Sequence, residues 1–192
     1  MNKDKVILDL CGGTASWSKP YKDAGYDVRL VTLPEIDVRT YIPPKNVYGV
    51  LAAPPCTEFS KAKFFHGKGN YTHDFVKGLE TVSACMRIIL TCNPEFWVLE
   101  NPSSGFLKRW LYEPVYKFEP WEFGDDYQKT TALWGNFNKP IKSVEIKPKG
   151  IIKFSLLKSK DIVPEYYGIY TRKIRRSMTP QGFAKAFYEA NK

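Results

Sequence analysis

The sequence predicts an α/β fold of Rossmann-like type with a short basic C-terminal extension. Three observations carry this expectation. Short apolar runs rich in β-branched residues recur at residues 5–10, 26–33, 47–53 and 96–99, each the length of a buried strand. Helical patterns separate several of them, at 17–24 and 75–91. The residues just past the carboxyl ends of these runs are small, rigid or chemically active, and open α/β sheets bind ligands at that edge.

Residues 5–10 form the first expected strand, ending in Asp9 and Leu10 and running into a small-residue turn, Cys11, Gly12, Gly13, Thr14, Ala15, Ser16 and Trp17. A helix over 17–24, stopped by Gly25, follows. Strand, glycine turn and helix make the first unit of a nucleotide-binding fold, with the backbone free to approach a ligand. Ala15 and Ser16 replace the further glycines of the dinucleotide fingerprint. The second strand, 26–33, leads to Glu35 and Asp37, two carboxylates placed where ribose hydroxyls can be accepted.

The third strand, 47–53, runs into Pro54-Pro55-Cys56-Thr57-Glu58-Phe59-Ser60. The prolines stiffen the turn and hold Cys56 at the ligand edge as a candidate nucleophile; a lone cysteine there is equally a small buried residue. Residues 59–74 have no clear period and carry lysines, aromatics, His66 and His73, as expected of a loop able to close on a substrate. Asp74 is placed to cap the helix over 75–91, with Cys85 and Cys92 as core residues. The strand 96–99 then delivers Glu100-Asn101-Pro102, and a carboxylate at a dry strand end is costly unless paired, hydrogen-bonded or protonated. A helix over 103–111 and strands over 116–123 and 129–134 complete this part. The last helix is expected over 181–190, with Thr179 as its cap and Pro180 in its first turn.

The chain has 192 residues, 43% hydrophobic and 26% charged, enough for one domain with its own core. Its N-terminus leads straight into a strand, so no signal peptide is expected, and no apolar run is long enough for a membrane span. Four cysteines and two histidines lack zinc-ligand spacing, so no metal site is expected. A reduced protein of the cytoplasm fits these thiols. All of the net charge of +9 falls on residues 139–192, which carry 13 basic against 4 acidic residues. With the interleaved aromatics Phe154, Tyr166, Tyr167 and Tyr170, this is the footprint of a polyanion partner.

Three pieces now stand in order on strand ends: residues 9–13, Pro54-Pro55-Cys56 with Phe59-Ser60, and Glu100-Asn101-Pro102. Together they resemble the signatures of the cytosine-5 DNA methyltransferase family. Arg176-Ser177-Met178-Thr179-Pro180 is similar to that family's late Arg-x-x-Thr-Pro motif. The chain looks most like the compact members encoded by bacteriophages and prophages, acting in the host cytoplasm.

The resemblance implies a methyltransferase catalytic domain over 1–137, a reduced basic target-recognition region over 138–178, and a C-terminal helix over 179–192 packing back on the catalytic domain. It implies S-adenosylmethionine as cofactor, lying across Asp9, Cys11, Gly12, Gly13, Thr14 and Trp17, with Glu35 or Asp37 on its ribose or adenine and Ala53 and Pro54 along the adenine. It implies Cys56 as the nucleophile that attacks carbon 6 of a flipped cytosine, with a thiol pKa lowered by its surroundings, and Glu100 on the ring nitrogen and exocyclic amine. Gln128 and Lys129 stand at the family's Gln-x-Arg-x-Arg motif, whose second arginine is missing; Arg172 and Arg175 are the candidate substitutes. DNA is the implied partner, through 139–192 and the loop 59–74. The family's final Gly-Asn motif is absent, which leaves the cofactor pocket open, closed by the last helix, or completed by a second copy in a homodimer. Two other readings stand beside this one: a catalytically weak relative that binds DNA or a partner as a decoy against restriction, and the same chemistry on another cytosine substrate.

Overall fold

The computed structural model of the protein describes residues 2–61 and 72–192. At its centre is a six-stranded sheet built around β1 (Val6–Leu10), all five of whose residues are buried. Parallel partners flank it, β2 (Asp27–Val31) on one side and β3 (Val47–Ala52) on the other. Leu10 thus stands level with Val31 and with Ala52. Beyond β3 come β4 (Phe96–Pro102), parallel to it, then β7 (Thr131–Asn136) and β5 (Tyr116–Phe118), each antiparallel to its neighbour. The order is β2-β1-β3-β4-β7-β5. The chain winds outward from β1 to β2 and then returns to build the other half from β3, so β1 and β3 frame the topological switch point, where such sheets open a crevice for a ligand.

The alternation of a strand sorts β1 between two cores. Val6, Leu8 and Leu10 pack with Val82, Cys85, Ile88 and Ile89 of α2 (Phe75–Cys92). Ile7 faces the other way and joins Trp17, Tyr21, Phe96, Phe183 and Phe187. That second layer is made by α1 (Lys19–Asp23) and α5 (Gln181–Ala190). It is rich in rings: Tyr21 meets Tyr188 edge-on at 5.0 Å, and Phe183 stacks on Phe118 at 3.7 Å. Asp74 caps α2 as its position suggests, its carboxylate accepting from the Lys77 amide at 3.0 Å, and Asn93 ends the helix in a left-handed conformation.

Several elements differ from the sequence expectation. The helix after the glycine turn starts at Lys19, two residues late, because Ala15 takes a left-handed φ of 57°. The helix over 103–111 shrinks to α3 (Lys108–Leu111). The strand over 116–123 stops at Phe118; Pro120–Phe123 is a 3-10 turn, closed by reciprocal capping between Glu119 and Glu122. The last helix is not capped by the Thr179 side chain: Pro180 is its N-cap, and the Thr179 amide donates to Ser16 Oγ at 2.9 Å.

The basic segment folds around a small core of its own, Tyr127, Phe154, Leu157 and Ile162. It is joined to the rest by a two-residue parallel pairing of β6 (Tyr127–Gln128) with β8 (Ile152–Lys153). A helix that the sequence reading lacked, α4 (Arg172–Ser177), follows, its first turn capped by Thr171, which accepts from the Ile174 amide. Among the described residues no helix is long and apolar enough to cross a membrane.

Candidate active site

Cys56 sits at the end of β3, partly exposed, on a turn fixed from three sides. The Ala53 amide donates to the Leu10 carbonyl at 2.9 Å, carrying the β1–β3 ladder one step past the strand. The Phe59 and Ser60 amides both donate to the Cys56 carbonyl, at 3.0 and 2.8 Å. Phe59 is fully buried, and its own carbonyl accepts from the Phe106 amide at 2.8 Å. The third tie is Asn101, whose buried amide Nδ2 donates to the Pro54 carbonyl at 3.1 Å.

Asn101 can reach Pro54 because Glu100-Asn101-Pro102 is not a loop past a strand end. β4 continues through all three residues, held by β7 with Glu100 opposite Leu133 and Pro102 opposite Thr131. Glu100 therefore projects from a paired strand. With Lys129, Thr131, Trp17, Met178 and Thr179 it lines a narrow cavity of about 10 Å³. The Lys129 ammonium donates to the Arg176 carbonyl at 3.2 Å.

The electrostatics correct one expectation. Burial pushes the Cys56 thiol up from its usual range, not down, and the Glu100 carboxyl beside it pushes the same way; Lys129 and Arg176 oppose them. Burial also raises the Glu100 carboxyl, against the pull of Lys129. Lys129 and Arg176 offset part of the upward push on the thiol, and protonation of Glu100 removes the charge that adds to burial in raising it.

Of the residues at the Gln-x-Arg-x-Arg position only Lys129 joins this group. Gln128 is engaged elsewhere: its Nε2 donates to Glu119 at 3.3 Å and its Oε1 accepts from Lys147 at 2.9 Å. Neither expected arginine fills the vacant place. Arg172 reaches the Leu157 carbonyl. Arg175 is buried and spends its guanidinium on the carbonyls of Tyr170, Ser159 and Ile162. The arginine that joins Lys129 in acting on Cys56 is Arg176, which in the sequence belongs to the Arg-x-x-Thr-Pro resemblance alone. Of the two histidines, His73 stacks on Phe75 at 5.2 Å with Nδ1 at the Glu58 carbonyl, 2.8 Å away. His66 and most of the expected loop lie outside the described residues.

The glycine turn lies across the crevice at the end of β1. Cys11 and Gly13 both take left-handed φ values, 60° and 55°. The Cys11 amide donates to the Val31 carbonyl at 2.7 Å, and its side chain packs against the core that contains Cys85 of α2. Asp9 supports this turn from beneath and is fully buried. Its Oδ2 accepts from Ser18 Oγ at 2.5 Å, and a Cβ on Gly12 would overlap its carboxylate. Burial lifts its pKa to about 6. Asp9 therefore shapes the turn from below, and Trp17 likewise belongs to the core, 5.6 Å from the Phe187 ring. Among the described residues the buried Trp17 Nε1 has no hydrogen-bond partner. Thr14 lines a wider groove of about 870 Å³ together with Ser16, Tyr166, Tyr170 and Thr179. Past β2, Glu35 is exposed, whereas Asp37 is held by Arg39, which contacts it at 2.6 Å.

No family model matches the chain. It is similar to the protein named Probable DNA (cytosine-5)-methyltransferase of Frog virus 3 (isolate Goorha), with 32% identity over 150 residues that span 67% of this chain and 69% of that protein. It is also similar to a solved structure described as a DNA modification methyltransferase encoded within a prophage (E. coli), at 16% identity and a TM-score of 0.47 over 83% of this chain. The present chain spans about half of that one, 54%. The likeness to the viral protein extends over two thirds of both sequences, and by it the chain belongs to the DNA (cytosine-5)-methyltransferase family.

Proposed function

We propose that the protein transfers a methyl group from S-adenosylmethionine to carbon 5 of cytosine in DNA, with Cys56 as nucleophile. The observation that carries this reading is the meeting of Cys56, Glu100, Lys129 and Arg176 around one site. Carbon 5 of cytosine is a poor nucleophile. Attack of the Cys56 thiolate on carbon 6 forms a carbon–sulfur bond and turns the ring into an enamine that is nucleophilic at carbon 5. Glu100, whose carboxyl burial raises, donates in its protonated form to the ring nitrogen and takes the exocyclic amine, which favours that shift of electrons. Lys129 and Arg176 stabilise the thiolate before attack and again when it leaves, after carbon 5 has lost its proton. A base inside a duplex cannot reach Cys56, so the cytosine must leave the stack.

S-adenosylmethionine, when bound, supplies an electrophilic methyl group. The residues at the switch point fit such a ligand. The backbone of residues 11–14 would cradle its amino-acid part, and the exposed Glu35 would take the ribose hydroxyls. Residues 53–54 would lie along the adenine. Asp37 is the weaker claimant because Arg39 already occupies it. Thr179 and α5, tied to the turn through Ser16, would cover the side that the missing Gly-Asn motif covers in the family. DNA would run along the basic residues of 139–192.

The test is to incubate the protein with S-adenosylmethionine and unmodified duplex DNA, digest to nucleosides and measure 5-methylcytosine by mass spectrometry, with Cys56→Ala alongside. Product that depends on Cys56 supports the reading. Product from Cys56→Ala removes Cys56 as nucleophile. Binding of both ligands with no product from the wild type favours the decoy reading.

A further inference from the structure

Phe154 belongs to none of the motifs that point to the active site. It lies in the basic C-terminal segment, 98 residues after the cysteine. Yet its ring has the Lys129 ammonium 5.3 Å from its centroid and the Arg176 guanidinium 5.0 Å from it. A cation over an aromatic face is attracted by the ring quadrupole, more so where water is excluded, and Phe154 is buried.

Its position is built rather than incidental. β6 and β8 pair in parallel with Gln128 opposite Lys153, so Lys129 and Phe154 are the next residues along both chains. The Tyr127 ring packs on Phe154 at 4.9 Å, and Leu157 and Ile162 close the same small core. From the other side, Arg175 clamps α4 to this segment through three carbonyls. That clamp delivers the next residue, Arg176, to the ring. The Lys129–Arg176 carbonyl bond joins the two sides.

We propose that Phe154 is a positioning residue whose ring gathers Lys129 and Arg176 into one cationic pair beside Cys56, so that the basic segment is a working part of the catalytic centre as well as a DNA-binding surface. The proposal rests on the reading of Cys56 as the nucleophile. Among the described residues, the charged groups that act on that thiol are Glu100 from β4, Lys129 between β6 and β7, and Arg176 from α4. Loosening the two cations leaves Glu100 and burial unopposed.

The experiment is alkylation of the full chain by iodoacetamide across a pH series, without cofactor or DNA, with Cys56 followed by peptide mapping to separate it from Cys11, Cys85 and Cys92. Phe154→Leu should raise the pH midpoint of Cys56 alkylation by about one pH unit, a roughly tenfold slower reaction below the midpoint. Phe154→Tyr keeps a ring and should retain the wild-type midpoint. A wild-type midpoint in folded Phe154→Leu, or a Phe154→Tyr midpoint displaced as far as that of Phe154→Leu, overturns the proposal. Should Phe154→Leu not fold, Arg176→Gln takes its place: a raised midpoint supports the proposal, an unmoved one overturns it. Methyl transfer by Cys56→Ala, measured in parallel, separates the two ideas. Its persistence removes the nucleophile reading and the platform's catalytic role together, whereas an inactive Cys56→Ala with an unmoved midpoint removes the platform alone.

Discussion

Asn101 Nδ2 donates to the Pro54 carbonyl across 3.1 Å, and that single bond ties the strand bearing Glu100 to the turn bearing Cys56. Both partners are buried. Asn101→Leu removes the donor and leaves the carbonyl unsatisfied, at a cost of about 1–3 kcal/mol. We expect a lower thermal midpoint and, under the proposed reaction, a fall in kcat of at least about tenfold, since Cys56 and Glu100 lose their fixed separation. Equal kcat in the variant would show that the tie is structural alone.

Glu100→Gln keeps the shape of the side chain and removes its titration. The thiol then loses one of the two influences that hold it up. The pH midpoint of Cys56 alkylation should fall in this variant, while under the proposed reaction methyl transfer drops by about a hundredfold or more, since the amide has no acidic proton to give the ring. A midpoint that stays or rises would contradict the pairing of Cys56 with Glu100.

Asp9 makes stability depend on pH in an unusual direction for a carboxylate. Its folded pKa, about 6, lies above the ordinary value of 3.8, so the native state holds the proton more tightly. Its contribution is complete below pH 3.8 and is lost as pH rises through about 6, in total about 3 kcal/mol. Asp9→Asn should therefore unfold at a higher temperature than wild type at pH 7, and the gap should close by pH 4. Parallel curves for the two proteins across that window would disprove it.

Gly12→Ala forces a methyl group onto the Asp9 carboxylate. The turn must move, and calorimetry should show loss of S-adenosylmethionine binding in a protein that keeps its far-UV spectrum. Retained affinity would place the cofactor elsewhere.

Lys158 and Lys160 are exposed on the basic segment. If they meet phosphates, replacing each with Gln should weaken DNA binding at low salt and lower the slope of log affinity against log salt by about 0.9 per contact. Identical slopes would move the DNA path off this face.

The strands were legible because each is a short apolar run, and the ends of α2 and α5 because Asp74, Asn93 and Pro180 are strong local signals. What the chain hides is long-range. Nothing near Glu100 says that β4 continues to Pro102; that follows from pairing with Thr131–Asn136 some thirty residues later. The turn over Pro120–Phe123 does carry a local signal, Pro120 and the Glu119/Glu122 pair. For the site, Cys56 and Glu100 stood out as chemistry on strand ends. Arg175 and Arg176 are adjacent and alike in sequence, and only packing decides that one is a buried clamp and the other faces the thiol. Phe154 carries no local signal, because its partners come from two distant segments.

The two-residue pairing of Gln128 with Lys153 divides the basic segment into a part that can vary and a part that cannot. Residues 141–150 are almost all exposed, and Gly150 turns there with a φ of 85°. Loop-closure entropy grows only slowly with length, so extra chain inserted at this point would leave the register of β8 intact. A larger reading head grafted between Lys149 and Gly150 should be tolerated, whereas the same insert one step past Lys153 would shift Phe154 out of place. Added chain is therefore accommodated upstream of the pairing, and the contacts of Phe154 with Lys129 and Arg176 stay in place.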